Sequence, residues 1–131
     1  MASIFTKIIN GEIPSYKIAE DENNYAFLDI FPTARGHTLV VPKYEVDNLF
    51  DLPEDNYLDL QKFARKVAKG IEKTITCNRV GVTVIGLDVP HAHIHLIPIN
   101  KLSDISFEKD KLKFTEEEFK QIAIEISANI F

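Results

Sequence analysis

The chain has 131 residues and a formal net charge of −5 at pH 7, and this length suits one compact domain with one core. Hydrophobic residues make up 45% and charged residues 27% of the sequence, a globular composition that excludes wholesale disorder. The negative net charge provides no general attraction for nucleic acid or for an anionic membrane surface. Cys77 is the only cysteine, so no intramolecular disulfide is expected. With no signal-like or membrane-spanning apolar run, we expect a cytoplasmic protein.

The first part of the chain predicts a short helix followed by three strands. Apolar residues at helical spacing from Ile4 to Ile9 are stopped by an Asn-Gly pair, which predicts a short N-terminal helix. Residues 16–19 and 25–30 predict two strands around a polar turn. Residues 37–41 are rich in β-branched side chains and predict a third strand.

In the middle of the chain, the spacing of apolar residues changes from the alternation typical of strands to the three- and four-residue spacing typical of a helix. Apolar residues recur at three- and four-residue spacing and predict an amphipathic helix over residues 53–73, with Pro53 in its first turn. Residues 79–85 and 92–99 predict two further strands. Consecutive strands interrupted by one long helix indicate an α+β fold with an antiparallel sheet and helices on one side.

A last helix is predicted from its start signals. Thr115 and Glu118 have the spacing of a capping box, and Phe114 and Phe119 occupy the flanking positions of a hydrophobic staple,.

Three of the four histidines alternate from the residue just before the last predicted strand into that strand. They are His91, His93 and His95. In an extended chain these imidazoles share one face, and the intervening apolar residues share the other. The fourth, His37, lies in the third predicted strand.

Three interpretations of this pattern stay open on the residues alone. Structural histidines would repel one another when protonated, so the alignment carries a cost. A metal site cannot use both His91 and His95, which lie about 13 Å apart along a strand. Adjacent members of the triad, with His37 and a carboxylate, would suit zinc or non-haem iron. The third interpretation is a neutral imidazole that attacks phosphorus, with His93 as the member flanked on both sides.

Four ordered segments resemble the histidine-triad (HIT) family. Residues 91–97 are similar to its signature His-φ-His-φ-His-φ-φ, in which φ is apolar, and residues 3–14, 26–30 and 36–43 resemble its earlier blocks. The resemblance implies a five-stranded antiparallel sheet, one domain over residues 1–131, a homodimer and a purine-nucleotide site. It also implies a nucleotide hydrolase or transferase that needs no cofactor or metal and acts at an α-phosphorus. Candidate substrates are nucleoside phosphoramidates, acyl-adenylates and dinucleoside polyphosphates.

The same resemblance implies a role for each site residue. His93 would form a nucleotidyl-histidine intermediate, its proton-bearing nitrogen held by the carbonyl of His91. His95 and His37 would help to hold the phosphate and the triad, and Asp29 would accept the ribose hydroxyls. The expected walls of the base site are Ile4, Phe5, Ile8, Phe27 and Ile30.

The sequence departs from the family pattern in places. Ser3, Thr6 and Glu45 occupy positions where many relatives hold zinc, so no structural zinc is expected. Leu87 and Asp88 replace residues that commonly lie near the phosphate, and this keeps open a nucleotide-binding module with little turnover. A His-ligated metal enzyme is the further alternative. Residues 100–131 match no block, and we expect them to cover the sheet, close the pocket or extend a subunit contact.

Overall fold

A computed structural model of the chain describes residues 2–130, and within that range five strands form a single antiparallel sheet. The strand order is β1-β2-β3-β5-β4. The elements are α1 (Ile4–Ile9), β1 (Lys17–Glu20), β2 (Asn24–Leu28), β3 (Thr38–Pro42), α2 (Glu54–Thr74), β4 (Arg79–Thr83), β5 (Ile94–Ile99) and α3 (Glu116–Ala128), with short 3₁₀ turns at Leu49–Asp51 and Leu102–Ile105. The predicted α+β class and the antiparallel sheet are confirmed.

Helix boundaries follow the local signals. Ser3 caps α1 by accepting a hydrogen bond from the Thr6 N–H, and Thr115 and Glu118 form the capping box of α3. Pro53 is the residue before α2 rather than its first helical residue, which corrects the predicted start by one position. No helix within residues 2–130 combines the length and the apolarity that a membrane crossing requires.

Strand ends differ more from the prediction, because they depend on partners elsewhere in the chain. β5 begins at Ile94 rather than at residue 92, since the Ala92 N–H donates to the carbonyl of Val46 instead of to β3. β2 ends at Leu28, so Asp29 lies just beyond the strand. The predicted strand over residues 79–85 ends at Thr83, where pairing with β5 stops.

The two faces of the sheet are covered differently. The larger core lies between the sheet and helices α2 and α3, and it includes Ala92, Ile94 and Leu96. A smaller cluster on the opposite face combines Phe5 and Ile8 of α1 with side chains of β2 and β3. The histidines belong to this second face, where Phe5 contacts the rings of His91 and His93. The predicted division between a core face and a polar face therefore holds along this segment.

Residues 100–130 pack onto the domain. In α3, the side chains of Phe119, Ile122 and Ile126 are buried in the larger core. The Phe114 and Phe119 rings lie 5.4 Å apart, as a hydrophobic staple requires,. Upstream of α3, the Leu112 N–H donates to the carbonyl of Pro32. The segment is thus tied to the loop between β2 and β3 as well as to α2.

Candidate active site

All four histidines are buried on the face that α1 partly covers. The exposed fractions are 1% for His37, 0% for His91, 1% for His93 and 5% for His95. β3 pairs with β5 so that Leu39 lies opposite His95, and this brings His37, one residue before β3, beside the triad. Four imidazoles far apart in the chain therefore form one cluster.

The backbone orients the His93 ring. Its Nδ1 lies 2.7 Å from the carbonyl oxygen of His91. A carbonyl can only accept, so Nδ1 carries the proton and the neutral ring has its lone pair on Nε2. The edge of the ring contacts Phe5, with centroids 5.0 Å apart.

A chain of hydrogen bonds sets the tautomers of His37 and His95. The Thr33 N–H donates to His37 Nδ1 at 3.0 Å, and His37 Nε2 lies 3.0 Å from His95 Nδ1. Because a backbone N–H can only donate, His37 carries its proton on Nε2, and this N–H donates a hydrogen bond to His95 Nδ1. Nε2–H is then the remaining donor of His95. Burial, followed by the charge of Lys111, lowers the pKa of His37 to about 3. Burial and the neighbouring imidazoles lower the pKa of His95 to about 4.

The His91 ring is anchored away from the cavity. Its Nε2 donates to the carbonyl of Pro42 at 2.8 Å, and its Nδ1 accepts from the Ser3 hydroxyl at 2.6 Å. The Thr6 hydroxyl donates to Glu45 at 2.5 Å and the Ser3 N–H donates to the same carboxylate oxygen at 2.9 Å. These hydrogen bonds, with the Thr6 hydroxyl first, lower the pKa of Glu45 to about 2. The positions that hold zinc in many relatives are thus joined here by hydrogen bonds.

Asp29 lies where β2 ends, beside the histidine cluster. Its Oδ1 accepts from the Phe31 N–H at 2.9 Å, and its Oδ2 lies 3.5 Å from His37 Nε2. Its side chain is 17% exposed, so one edge of the carboxylate reaches solvent. The carboxylate keeps lone pairs for a ligand.

A cavity of about 280 Å³ opens between α1 and the histidines. Every apolar residue expected to wall a base lines it: Ile4, Phe5, Ile8, Phe27 and Ile30. Asp29, His93 and His95 line it as well, whereas His37 and His91 lie behind these two histidines. Asp88 also lines the cavity, and the remaining lining residues were not in the sequence prediction: Ile13, Pro14, Ser15, Leu28, Phe31, Leu39 and Val89.

The carboxylate of Asp88 lies close to the His93 ring. Its Oδ1 is 3.6 Å from His93 Nε2, and its side chain is 73% exposed. A carboxylate at this position repels a phosphate unless it points away from it. The Asp88 carboxylate points towards Nε2, the His93 nitrogen that bears the lone pair. Because the carboxylate is largely exposed, salt in the solvent screens its charge.

A second cavity of about 340 Å³ adjoins the first and shares Asp29, Phe31, Asp88 and His95 with it. Its other walls are Ile85, Leu87, Phe107 and Lys111. The Phe107 ring packs edge-on against His95 with centroids 4.7 Å apart. From the sequence, closing the pocket was one of three roles left open for Phe107, and Lys111 was not considered. A large aromatic residue in an otherwise polar segment was the only signal.

The histidines also permit a direct examination of the metal-site interpretation. Ligand atoms of Asp29, His37 and His95 lie within 4.8 Å of one another. However, His37 Nδ1 already accepts from Thr33, so Nε2 of the neutral ring bears a proton and has no lone pair to give a metal. The arrangement fits a hydrogen-bonded pair better than a metal centre.

Comparison with known proteins places this site in a family. A family model described as "HIT domain" matches residues 10–102. The chain belongs to the HIT family. Adenosine 5′-monophosphoramidase of Schizosaccharomyces pombe is 33% identical to it over 99% of both chains. The enzyme of that name from Saccharomyces cerevisiae is 43% identical over 74% of this chain and 62% of its own.

A solved HIT structure has the same fold over nearly the whole chain. The Hit-like protein involved in cell-cycle regulation from Bartonella henselae superposes with a TM-score of 0.85, at 32% identity, covering 98% of this chain and 96% of its own. The resemblance carried by the triad and the earlier blocks is therefore confirmed. The HIT family match ends at residue 102, so Phe107 and Lys111 of this HIT protein lie outside it.

Proposed function

We propose that this HIT protein is a nucleotide hydrolase or nucleotidyl transferase that attacks an α-phosphorus through His93. The observation that carries the proposal is the bond from His93 Nδ1 to the His91 carbonyl, which leaves the lone pair on Nε2 of a residue that lines the cavity. Two relatives bear the name adenosine 5′-monophosphoramidase, and this supports the same class of reaction here.

The cavity suits a purine nucleoside monophosphate unit. Its apolar walls in α1 and β2 offer surfaces for a base, and Asp29 at the end of β2 has free lone pairs that can accept two ribose hydroxyls,. A nucleoside held in this way directs its phosphate towards His93 and His95. The base, the sugar and the phosphate each meet a chemically matched part of the lining.

The reaction proceeds in two displacements. His93 Nε2 attacks phosphorus, and the bond to the leaving group breaks with its electron pair departing on that group; the nitrogen of a phosphoramidate takes up a proton from solvent and leaves as the amine. The His91 carbonyl stabilises the positive charge that develops on the ring, and the Nε2–H of His95 donates to the phosphate oxygens,. Water then attacks the phosphorus, loses a proton to solvent, and returns the electron pair of the P–N bond to Nε2.

Replacement of the nucleophile tests the proposal. With adenosine phosphoramidate as substrate, we expect wild type to release AMP and His93→Ala to lose more than about a thousandfold in kcat. Lys66→Ala, on the exposed side of α2, is the matched control and should keep full activity. Circular dichroism would check that His93→Ala is folded. Acid-quenched wild type should carry an adenylyl group on His93 by mass spectrometry, and equal turnover by both proteins would remove His93 from the mechanism.

A binding module with little turnover is the second candidate, and Asp88 is the observation that favours it. A carboxylate 3.6 Å from His93 Nε2 opposes the approach of a negatively charged phosphate. In the same experiment, AMP binding by calorimetry without product release from the phosphoramidate would support the binding module.

The homodimer and the cytoplasmic location implied above stay predictions. Exposed apolar side chains at and beyond the edge strand β4 support a self-association surface: Val82, Val84, Ile85 and Leu87. We expect the protein to bind neither nucleic acid nor membranes, because its net charge is −5,.

A further inference from the structure

A basic groove lies along the outer side of α2. We call it the α2 groove, and its volume is about 330 Å³. The residues that line it are Lys62, Arg65, Lys66, Lys69, Lys73 and Asn129. None of these described residues is acidic, although the whole chain has 20 acidic and 15 basic residues. Five of the cations of this chain therefore meet at one place, on the side of the sheet opposite the histidines.

The requirements of the helix do not account for these cations. Residues three and four apart are neighbours on a helix, and like charges at this spacing destabilise it. Lys62 and Lys66 form one such pair. Arg65 and Lys69 form another. The helix dipole favours cations in the last turn only, whereas all four of these residues precede the last turn of α2, which ends at Thr74. The crowding of like charges thus has a cost that an anionic ligand would offset.

The centre of the groove has no acidic partner from the described part of the chain. The four cations there are Lys62, Arg65, Lys66 and Lys69, and all are exposed. Within residues 2–130, none of their side chains forms an ion pair. An anion that enters the groove therefore meets four positive charges without first having to displace a carboxylate of this protein.

The dimensions and lining of the groove favour a short, narrow anion. From Lys62 to Lys73 the helix rises about 16 Å at about 1.5 Å per residue, and an extended peptide of about five residues has the same length. A single nucleic-acid strand gains affinity by stacking its bases on aromatic rings. No aromatic ring is among the described residues that line the groove, so an acidic peptide fits it better.

The charge outside the groove disfavours larger polyanions. Without the five cations of the groove, the chain has ten basic and 20 acidic residues, a net charge of −10. A membrane surface or a nucleic-acid duplex is wider than one helix, so it would also approach this negative remainder of the surface. A peptide confined to the groove avoids that repulsion.

We propose that the α2 groove binds an extended acidic segment of a partner protein through its Asp and Glu carboxylates. Arg65 can hold one carboxylate with two parallel N–H donors, and the neighbouring lysines attract further carboxylates as point charges. The sheet separates α2 from the nucleotide cavity. A partner held in the groove therefore leaves that cavity open, and the groove does not depend on the proposed reaction.

Charge reversal in the groove tests the proposal. The probe is a hexaglutamate peptide labelled with tetramethylrhodamine, and its fluorescence anisotropy is followed in about 50 mM salt. We expect wild type to bind it, with the Kd rising at least about tenfold in the double variant Lys66→Glu/Lys69→Glu. The matched control is Lys101→Glu/Lys113→Glu, which makes the same change in net charge at exposed residues outside the groove. The Kd of this control should rise less than about threefold, and a labelled hexaglutamine peptide should not bind to wild type. Circular dichroism would check that both variants are folded.

Three results would overturn the proposal. The first is a wild-type protein that does not bind hexaglutamate, and the second is an equal Kd for the groove variant and its control. The third is tighter binding of oligouridylate, or of vesicles that contain phosphatidylserine, with this binding lost in the groove variant. That result would assign the groove to a nucleic acid or to a membrane. Peptide binding by a protein without phosphoramidate turnover would support the acidic partner while the proposed function fails.

Discussion

The imidazoles of His37 and His95 illustrate how one backbone N–H can set the tautomers of two side chains. The Thr33 N–H donates to His37 Nδ1, and the N–H on the opposite nitrogen of that ring, Nε2, donates a hydrogen bond to His95 Nδ1. Burial favours the neutral form of both rings, so the pKa values fall to about 3 and about 4. The donor that remains on His95 is available near neutral pH without any titration.

This arrangement predicts a loss of stability in mild acid. The unfolded chain protonates these histidines below about pH 6.5, whereas the folded chain does so only near pH 4 and pH 3. The unfolded state therefore binds more protons in this window, and stability falls as pH decreases from 6.5. We expect the Tm to fall between pH 6.5 and pH 4.5, before Glu45, whose pKa drops from 4.5 to about 2, begins to contribute.

Replacing one member of the pair tests the cause. His37→Gln should flatten the dependence of Tm on pH between 6.5 and 4.5, whatever its effect on Tm itself. An unchanged slope in this variant would show that other groups cause the acid sensitivity.

Sequence reasoning predicted which residues line the cavity more fully than it predicted how they are arranged. The alternation of the triad placed His93 and His95 on one face, and both line the cavity. That His37 and His91 lie behind them follows from bonds to Thr33 and Pro42, which no local pattern predicts. Lys111 was not recognised because its place depends on where a loop returns to the sheet.

At the scale of secondary structure, the junction of α1 with the triad depends on one serine. Ser3 caps α1 through its hydroxyl oxygen and donates the hydroxyl proton to His91. His91 in turn provides the carbonyl that orients His93. A single short helix is thus joined to the backbone that positions the proposed nucleophile.

Ser3→Ala should weaken both the fold and the proposed reaction. Loss of the cap, together with an unpaired nitrogen on buried His91, should cost about 2 kcal/mol in the free energy of unfolding, measured by urea denaturation. We also expect a lower kcat on adenosine phosphoramidate, with KM changed less. Ser127→Ala, at an exposed position of α3, is the control, and a Ser3 variant as stable as this control would contradict the interpretation.

Helices were easier to predict than strand ends for a physical reason. The caps and periodicity of α2 and α3 are local, and both helices begin within one residue of the predicted starts. The start of β5 depends instead on whether Ala92 bonds to β3 or to Val46. That choice is made by chain segments more than forty positions apart.

At the scale of the whole molecule, α3 packs into the same core as the sheet and α2. Phe119 is 7% exposed and stacks on Tyr16, with ring centroids 4.8 Å apart. α3 therefore joins the start of the sheet to α2. This packing supports the interpretation of residues 1–131 as a single domain, with both terminal residues outside the described range.

Truncating Phe119 tests that interpretation. Phe119→Ala should reduce the free energy of unfolding by about 3 kcal/mol while leaving one transition in urea, followed by both fluorescence and circular dichroism. Ile124→Ala, on the exposed side of the same helix, should have little effect. Two separate transitions would mean that α3 unfolds on its own.

The pairing register of β5 decides both which side chains face the core and which side chains face the cavity. Ile94 and Leu96 are held under α2, and His93 and His95 lie at alternate positions on the other side. If the pairing register of β5 shifted by one residue, the imidazoles would be buried in the apolar core and aliphatic side chains would point into the cavity. Because a register shift is so strongly disfavoured, we expect a partly unfolded molecule to lose the site outright rather than to keep β5 paired in a misaligned register.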